Sequence, residues 1–190
     1  MLEQRLPLAS SVAVPTLARV DAVRLRQLVE AHFDALWRFL RRLGIAEGDV
    51  DDAVQEVILV LARKLDLVET GSERAFVFST AFRIASDMRK RAKRRRELEA
   101  APLYEPTQLG PDPEASMEQK RLTMLFARVL EQLSLELRAV FVLYELEEFT
   151  MAEIAESLEL PPGTVASRLR RGRETFERLA AQVLAEGEQS

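Results

Sequence analysis

Four arginines lie within six residues of one another, at Arg168, Arg170, Arg171 and Arg173, just after the small hydroxylated residues Thr164 and Ser167. Guanidinium groups donate to phosphate oxygens and to the acceptor edge of guanine, and short hydroxyl side chains allow a helix to come close to a sugar–phosphate backbone. The chemistry open to this cluster is recognition of duplex DNA. A second basic cluster runs from Arg83 to Arg96, where eight bases stand against one acid, Asp87. With Phe76 upstream, it offers an aromatic surface for unstacked bases beside cations for phosphates, which is what a single-stranded nucleic acid requires. Phe78 and Phe82, in the same stretch, are expected in the core. A third cluster is acidic: Asp49, Asp52, Gln55 and Glu56 share a surface with Leu59, with Val60 at its margin. Acids with embedded aliphatics suit a protein-binding face better than a purely solvated one.

These clusters need helices to hold them. Thr150, with Glu153 three residues on, forms a capping-box signature, and Pro161, Pro162 and Gly163 force a turn. At about 100° per residue, Val165, Leu169, Gly172, Phe176, Leu179 and Val183 then fall on one stripe. Thr164, Ser167, Arg170, Arg171, Glu174 and Arg178 take the opposite side, with Arg168 and Arg173 at its flanks. Residues 150–176 therefore have the layout of a helix-turn-helix that presents its second helix to the major groove. The same arithmetic over DVDDAVQEVILVLARKL sends Val50, Val54, Val57, Ile58, Leu61 and Leu65 inward and Asp49, Asp52, Glu56, Leu59 and Arg63 outward. In the helix starting near Glu73, Val77, Ala81, Ile84, Ala85, Met88 and Ala92 make the core stripe. Its far side carries Phe76, Thr80, Arg83, Asp87, Lys90, Arg91 and Arg94. Further helical patterns cover about 22–43, 118–133 and 135–149.

The expected fold class is all-α: two small helical domains joined by a flexible, acidic, proline-containing linker, the C-terminal domain a helix-turn-helix. The expected boundaries are a flexible tail over 1–21, a first domain over 22–96, a linker over 97–116 and a second domain over 117–185. The linker reading rests on four prolines and on six acids without a base from Glu97 to Glu118. The 190 residues carry a net charge of −4, so the two basic surfaces sit on an acidic body and free DNA is attracted weakly. A partner is implied.

No cysteine is present, which rules out disulfides, thiol catalysis and cysteine-ligated zinc and fits a reducing, cytoplasmic setting. The single histidine, His32, sits among apolar neighbours and reads as structural. With no glycine-rich phosphate loop and no paired His/carboxylate motif, neither catalysis nor a cofactor or metal ion is expected. The opening MLEQRLPLASSVAVP lacks the basic and apolar regions of a signal peptide, and no run reaches the length of a membrane span.

Together these stretches resemble the extracytoplasmic-function (ECF) sigma factors of bacterial RNA polymerase, in their compact two-domain form. DVDDAVQEVILVLAR is similar to that family's polymerase-binding helix. The stretch from Phe76 to Arg95 resembles its −10 reader, and TMAEIAESLELPPGTVASRLRRGRETF its −35 reader. The resemblance covers about residues 25–182 and makes 22–96 sigma domain two and 117–185 sigma domain four. It implies docking of Asp49, Asp52, Gln55, Glu56 and Leu59 on the β′ clamp helices of core polymerase, with the β flap as a further contact. It implies that Phe76, Arg83, Asp87, Lys90, Arg91 and Arg94 act on the single-stranded −10 element. Thr164, Ser167, Arg168, Arg170, Arg171 and Arg173 would face the −35 duplex. It also leaves room for an anti-sigma factor. Two positions depart from the family pattern: Arg83 stands where asparagine is common, and Phe76 where tryptophan is usual. A conventional helix-turn-helix regulator would account for 150–176 but would leave the acidic helix and the first basic helix without a task.

Overall fold

The computed structural model describes residues 19–99 and 117–187, and among these the chain forms α-helices, one 3-10 turn and no strand. The helices are α1 (Arg19–Arg42), α2 (Glu47–Lys64), α3 (Glu73–Glu99), α4 (Met117–Gln132), α5 (Leu135–Glu145), α6 (Met151–Ser157) and α7 (Pro162–Gly187). Helices α1 to α3 pack as one bundle and α4 to α7 as another. Residues 19–21, expected in the tail, already belong to α1, and 97–99, expected in the linker, close α3. The rest of the tail (1–18) and of the linker (100–116) lies outside the described residues.

Local chemistry explains the helix limits. In α2, Glu47 and Asp49 stand in the first turn and Arg63 and Lys64 in the last, each sign opposing the helix dipole. Ser134 caps α5 by accepting from the Leu137 amide. Thr150 completes its capping box on α6: its hydroxyl accepts from the Glu153 amide at 3.2 Å, and the Glu153 carboxylate accepts from the Thr150 amide at 2.7 Å. The Thr150 amide, and then the Thr150 hydroxyl, which also donates to this carboxylate, hold the Glu153 carboxyl below its ordinary pKa, with Arg74 adding to the effect. Pro162 opens α7, where a missing N–H costs nothing. The Pro161 carbonyl accepts the amides of Thr164 and Val165.

The expected helix over 135–149 ends early, at Glu145. Leu146 and Glu147 both return their amides to the Val142 carbonyl, Phe149 reaches the Leu143 carbonyl, and Glu148 takes a left-handed backbone (φ 56°). The chain thus turns sharply and throws Phe149 away from α5.

The first bundle is centred on Phe39, Leu40, Leu43, Val57, Phe78, Ala81 and Ala85, each fully enclosed. Arginines from neighbouring helices close its turns. Arg24 donates to the carbonyls of Leu65 and Val68 and to Glu73, stitching α1 to the α2–α3 connection. At the end of α1, Arg41 reaches the Ile45 carbonyl and Arg89 the Leu43 carbonyl. Gly44 sits between them at φ 89°, where a β-carbon would come within 2.2 Å of the Arg89 guanidinium. In the second bundle Phe141 stacks on Phe176, with centroids 4.9 Å apart, and Val165, Leu169, Leu179 and Val183 seal α7 onto its neighbours.

One joint connects the bundles. Phe149 meets Phe78 edge to face, with centroids 4.7 Å apart, and Arg74 lies over the Phe149 ring at 3.7 Å. Glu147, with 2% of its side chain exposed, accepts from Arg38 at 2.9 Å and from Arg42. Arg74 also donates to the Glu147 carbonyl and to Glu153. Along α3, Arg83 pairs with Glu159 in the turn between α6 and α7.

Two outcomes follow from these placements. Thr150→Ala removes the α6 cap and should lower stability by about 1 kcal/mol in urea denaturation, with the m-value unchanged. His32, half-buried beside Phe78, has its pKa held below the ordinary 6.5, first by burial and then by the Arg74 cation, with Glu73 opposing. Just below pH 6.5 the unfolded chain therefore binds a proton that the folded chain does not, so stability falls as pH is lowered through that window. In His32→Gln this decline should vanish from urea midpoints measured between pH 7 and 5, leaving only the later carboxylate-driven loss.

Candidate nucleic-acid interface

The N-terminal half of α7 carries the duplex-reading candidates, on the side opposite the buried stripe Val165–Leu169–Gly172 or at its flanks. Packing of that stripe against α5 and α6 fixes the rotation of α7 and so decides which residues point outward. Ser167 is exposed and its hydroxyl donates back to the Thr164 carbonyl at 3.0 Å; Thr164 itself is half-buried. The arginines are held to different degrees. Arg171 is exposed and Arg168 half-buried, and neither has an ion-pair partner among the described residues. Arg170 pairs with Glu174 one turn on, at 2.9 Å. Such a pair is worth about 0.3–0.5 kcal/mol, so Arg170 can leave it for a phosphate at small cost. Arg173 is tied down: it donates to Glu145 at 2.6 Å and lies over the Tyr144 ring, and the Glu145 bond raises its pKa further. Of the four arginines, Arg173 is thus the one held to another helix among the described residues, bracing α7 against α5.

The first basic helix divides along its length. Its N-terminal half lies against α6. There Phe76 is half-buried and packs on the core, Thr80 is 5% exposed, and Arg83 holds Glu159. Toward the C-terminal half the helix leaves the bundle. Asp87 pairs with Lys90 at 3.5 Å, and Arg91 and Arg94 are exposed. Ala92, expected on the core stripe, is exposed. Phe78 is fully buried and Phe82 half-buried, as their expected core role requires.

The acidic helix has the two faces its periodicity foretold. Val50, Val54, Val57, Leu61 and Leu65 are buried and Ile58 half-buried. Asp49, Asp52, Gln55 and Glu56 are exposed, and Leu59 among them leaves 48% of its surface in solvent. Trp37 anchors the edge of this face by donating to Asp51 at 3.3 Å.

Sequence reasoning did not single out Arg38, Arg42, Arg74, Glu147 or Glu159, which form the joint. The run Glu147-Glu148-Phe149 held the available signal, two acids and an aromatic just before a strong N-cap. Read as a continuation of α5, it lost its meaning. A shallow groove of about 270 Å³ runs beside the α7 arginines between Met151, Leu169, Arg170, Arg173, Glu174 and Glu177. No helix among the described residues is long and apolar enough to cross a membrane.

Comparison with known proteins agrees with this layout. Residues 28–95, which span most of the first bundle, match the family described as Sigma-70 region 2, and residues 123–176 match Sigma-70, region 4. The chain is 32% identical over 155 residues to the ECF RNA polymerase sigma factor SigL of Mycobacterium tuberculosis, covering 80% of this chain and 86% of that one. It is 30% identical over 167 residues to ECF RNA polymerase sigma factor SigE of Mycolicibacterium smegmatis, covering 86% of this chain but only 64% of SigE. In fold it is similar to the sigma factor RpoE of Bartonella quintana, solved with the anti-sigma factor NepR, at TM-score 0.68 and 23% identity, over 82% of this chain and 96% of RpoE. With both sigma-70 regions present in order on an all-helical chain, and with these relatives, the protein belongs to the ECF sigma factors of RNA polymerase.

Proposed function

We propose that the chain is the promoter-specificity subunit of a polymerase holoenzyme, with its tasks divided among three helices. The α2 face of Asp49, Asp52, Gln55, Glu56 and Leu59 docks on the β′ clamp helices of core polymerase, and the β flap supplies a further contact. On α3, Phe76, Arg83, Asp87, Lys90, Arg91 and Arg94 take the single-stranded −10 element. On α7, Thr164, Ser167, Arg168, Arg170 and Arg171 read the −35 duplex, with Arg173 holding the helix in place. The first bundle, through Glu99, and the second, over 117–185, act as the two domains of the protein. The protein works in the cytoplasm, as a regulator and not as an enzyme, and an anti-sigma factor is a natural partner for it.

One observation supports this reading above a plain helix-turn-helix regulator: Leu59 stands half in solvent at the C-terminal end of an acidic face, one turn beyond Gln55 and Glu56. An exposed aliphatic beside carboxylates suits a protein partner with both basic and apolar groups. The net charge of −4 supports it as well, since an acidic chain gains little non-specific DNA affinity of its own. Polymerase then brings its arginines to the promoter.

The division of labour gives the test. Asp52→Ala with Leu59→Ala should weaken binding to core polymerase at least tenfold in a fluorescence titration while leaving the folding transition in place, since both side chains are exposed. Arg171→Ala should leave polymerase binding intact and cost about 1–3 kcal/mol of discrimination at one −35 base pair in holoenzyme–promoter binding. A loss of polymerase binding in Arg171→Ala equal to that of the α2 variant would contradict the assignment.

A further inference from the structure

Among the acids of α7, Glu174 stands on the reading face itself. It is exposed, on the same side of the helix as Arg170 and Arg171, and accepts from the Arg170 guanidinium at 2.9 Å. Helix stability alone would favour a different partner. Arg178 lies four residues after Glu174, and an acid four residues before a base is the more stabilising order. Arg178 instead donates to Gln182 at 3.4 Å, and Glu174 is engaged from the other direction, by Arg170. A carboxylate on a surface that must meet phosphates also costs affinity, because like charges repel. Of the four clustered arginines, Arg173 is tied to Glu145 of α5, and Arg168 and Arg171 have no ion-pair partner among the described residues. Arg170 is the member of the cluster held by an acid of its own face.

We propose that Glu174 is a positioning residue that sets sequence specificity: it holds the Arg170 fork for a guanine edge and disfavours its use on a phosphate. Glu174 has this role only if α7 reads the −35 duplex as proposed. Bidentate recognition of guanine needs two guanidinium N–H groups aimed together at O6 and N7. The pair with Glu174 uses Nη1 and leaves the edge formed by Nε and Nη2 to make that fork. A guanidinium already oriented by a carboxylate loses less rotamer freedom when it meets the base. Moving Arg170 onto a phosphate would break the pair or bring the Glu174 carboxylate toward a second anion. The pair itself is weak, so its effect lies in direction and sign rather than in strength. On a wrong base the carboxylate stays against the DNA while the fork goes unused, and a repulsive element of this kind separates right from wrong sequences.

The test uses the full chain on core polymerase, with Glu174→Gln, Arg170→Ala and the double variant. Fluorescence anisotropy follows binding to promoter fragments carrying each base pair in turn at every −35 position, over salt from about 50 to 200 mM. Glu174→Gln keeps the size and helix preference of the side chain and removes its charge. It should lower the preference for G·C at one −35 pair about tenfold. Other −35 sequences should be bound more tightly, with a salt dependence steeper by about one phosphate contact. Arg170→Ala should lose the preference at the same pair, and adding Glu174→Gln to it should change that preference no further. A purely structural role would instead weaken binding to every sequence alike and leave the salt slope unchanged, and that result would overturn the proposal. So would an undiminished G·C preference in Glu174→Gln where Arg170→Ala loses it. If neither these variants nor Arg171→Ala alters binding at any −35 pair, the assignment of α7 as the reader fails, and with it the role of Glu174.

Discussion

Glu147 and Phe149 sit two residues apart on a short turn, and between them they decide how the rest of the molecule is presented. The left-handed backbone at Glu148 lets the carboxylate face α1 while the ring faces α3. Burying a ring of this size is worth about 1.5–3 kcal/mol, whereas the half-exposed ion pairs around it each contribute about 0–1 kcal/mol. Glu147 differs, because its side chain is almost wholly enclosed and removing its arginines would leave a buried charge. The aromatic contact therefore supplies most of the attraction and the carboxylate supplies the register. Once both are set, α6 must lie on α3, and the outward faces of α2 and α7 remain in solvent.

Arginine does two kinds of work in this chain, and position in the fold separates them. Arg24, Arg41 and Arg89 donate to backbone carbonyls that helix ends and turns would otherwise leave unsatisfied, and Arg138, fully buried, donates to the Leu133 carbonyl. Arg91, Arg94 and Arg171 project from helix faces with no ion-pair partner among the described residues. Arg89 shows why a count of bases overstates a basic surface. It lies inside the run from Arg83 to Arg96, yet its guanidinium closes the end of α1.

Short-range features are legible in the amino-acid sequence. The 3.6-residue period assigns the faces of α2 and α7 correctly at nearly every position, because each helix packs on one side only. Thr150, Glu153 and the Pro161–Gly163 break mark the helix-turn-helix, since caps and proline act within a few residues. What escapes is long-range. Arg38 and Glu147 are 109 residues apart, and Arg74 and Glu153 are 79 apart, separations that no periodicity records. Thr80 is a further case: periodicity puts it on the outer face of α3, yet it is buried on a helix that packs against α6 of the other bundle. Val23 and Phe33 go the other way: apolar residues of α1, they are left 54% and 42% exposed.

Three separate surfaces on one chain, in the reading proposed, turn core polymerase into a promoter-specific enzyme. Run-off transcription with core polymerase on a promoter library, with and without the protein, tests this most directly. Transcripts should arise from a small set of promoters sharing −35 and −10 elements, and only when the protein is present. No added transcription from any promoter, together with tight sequence-specific duplex binding by the protein alone, would contradict it.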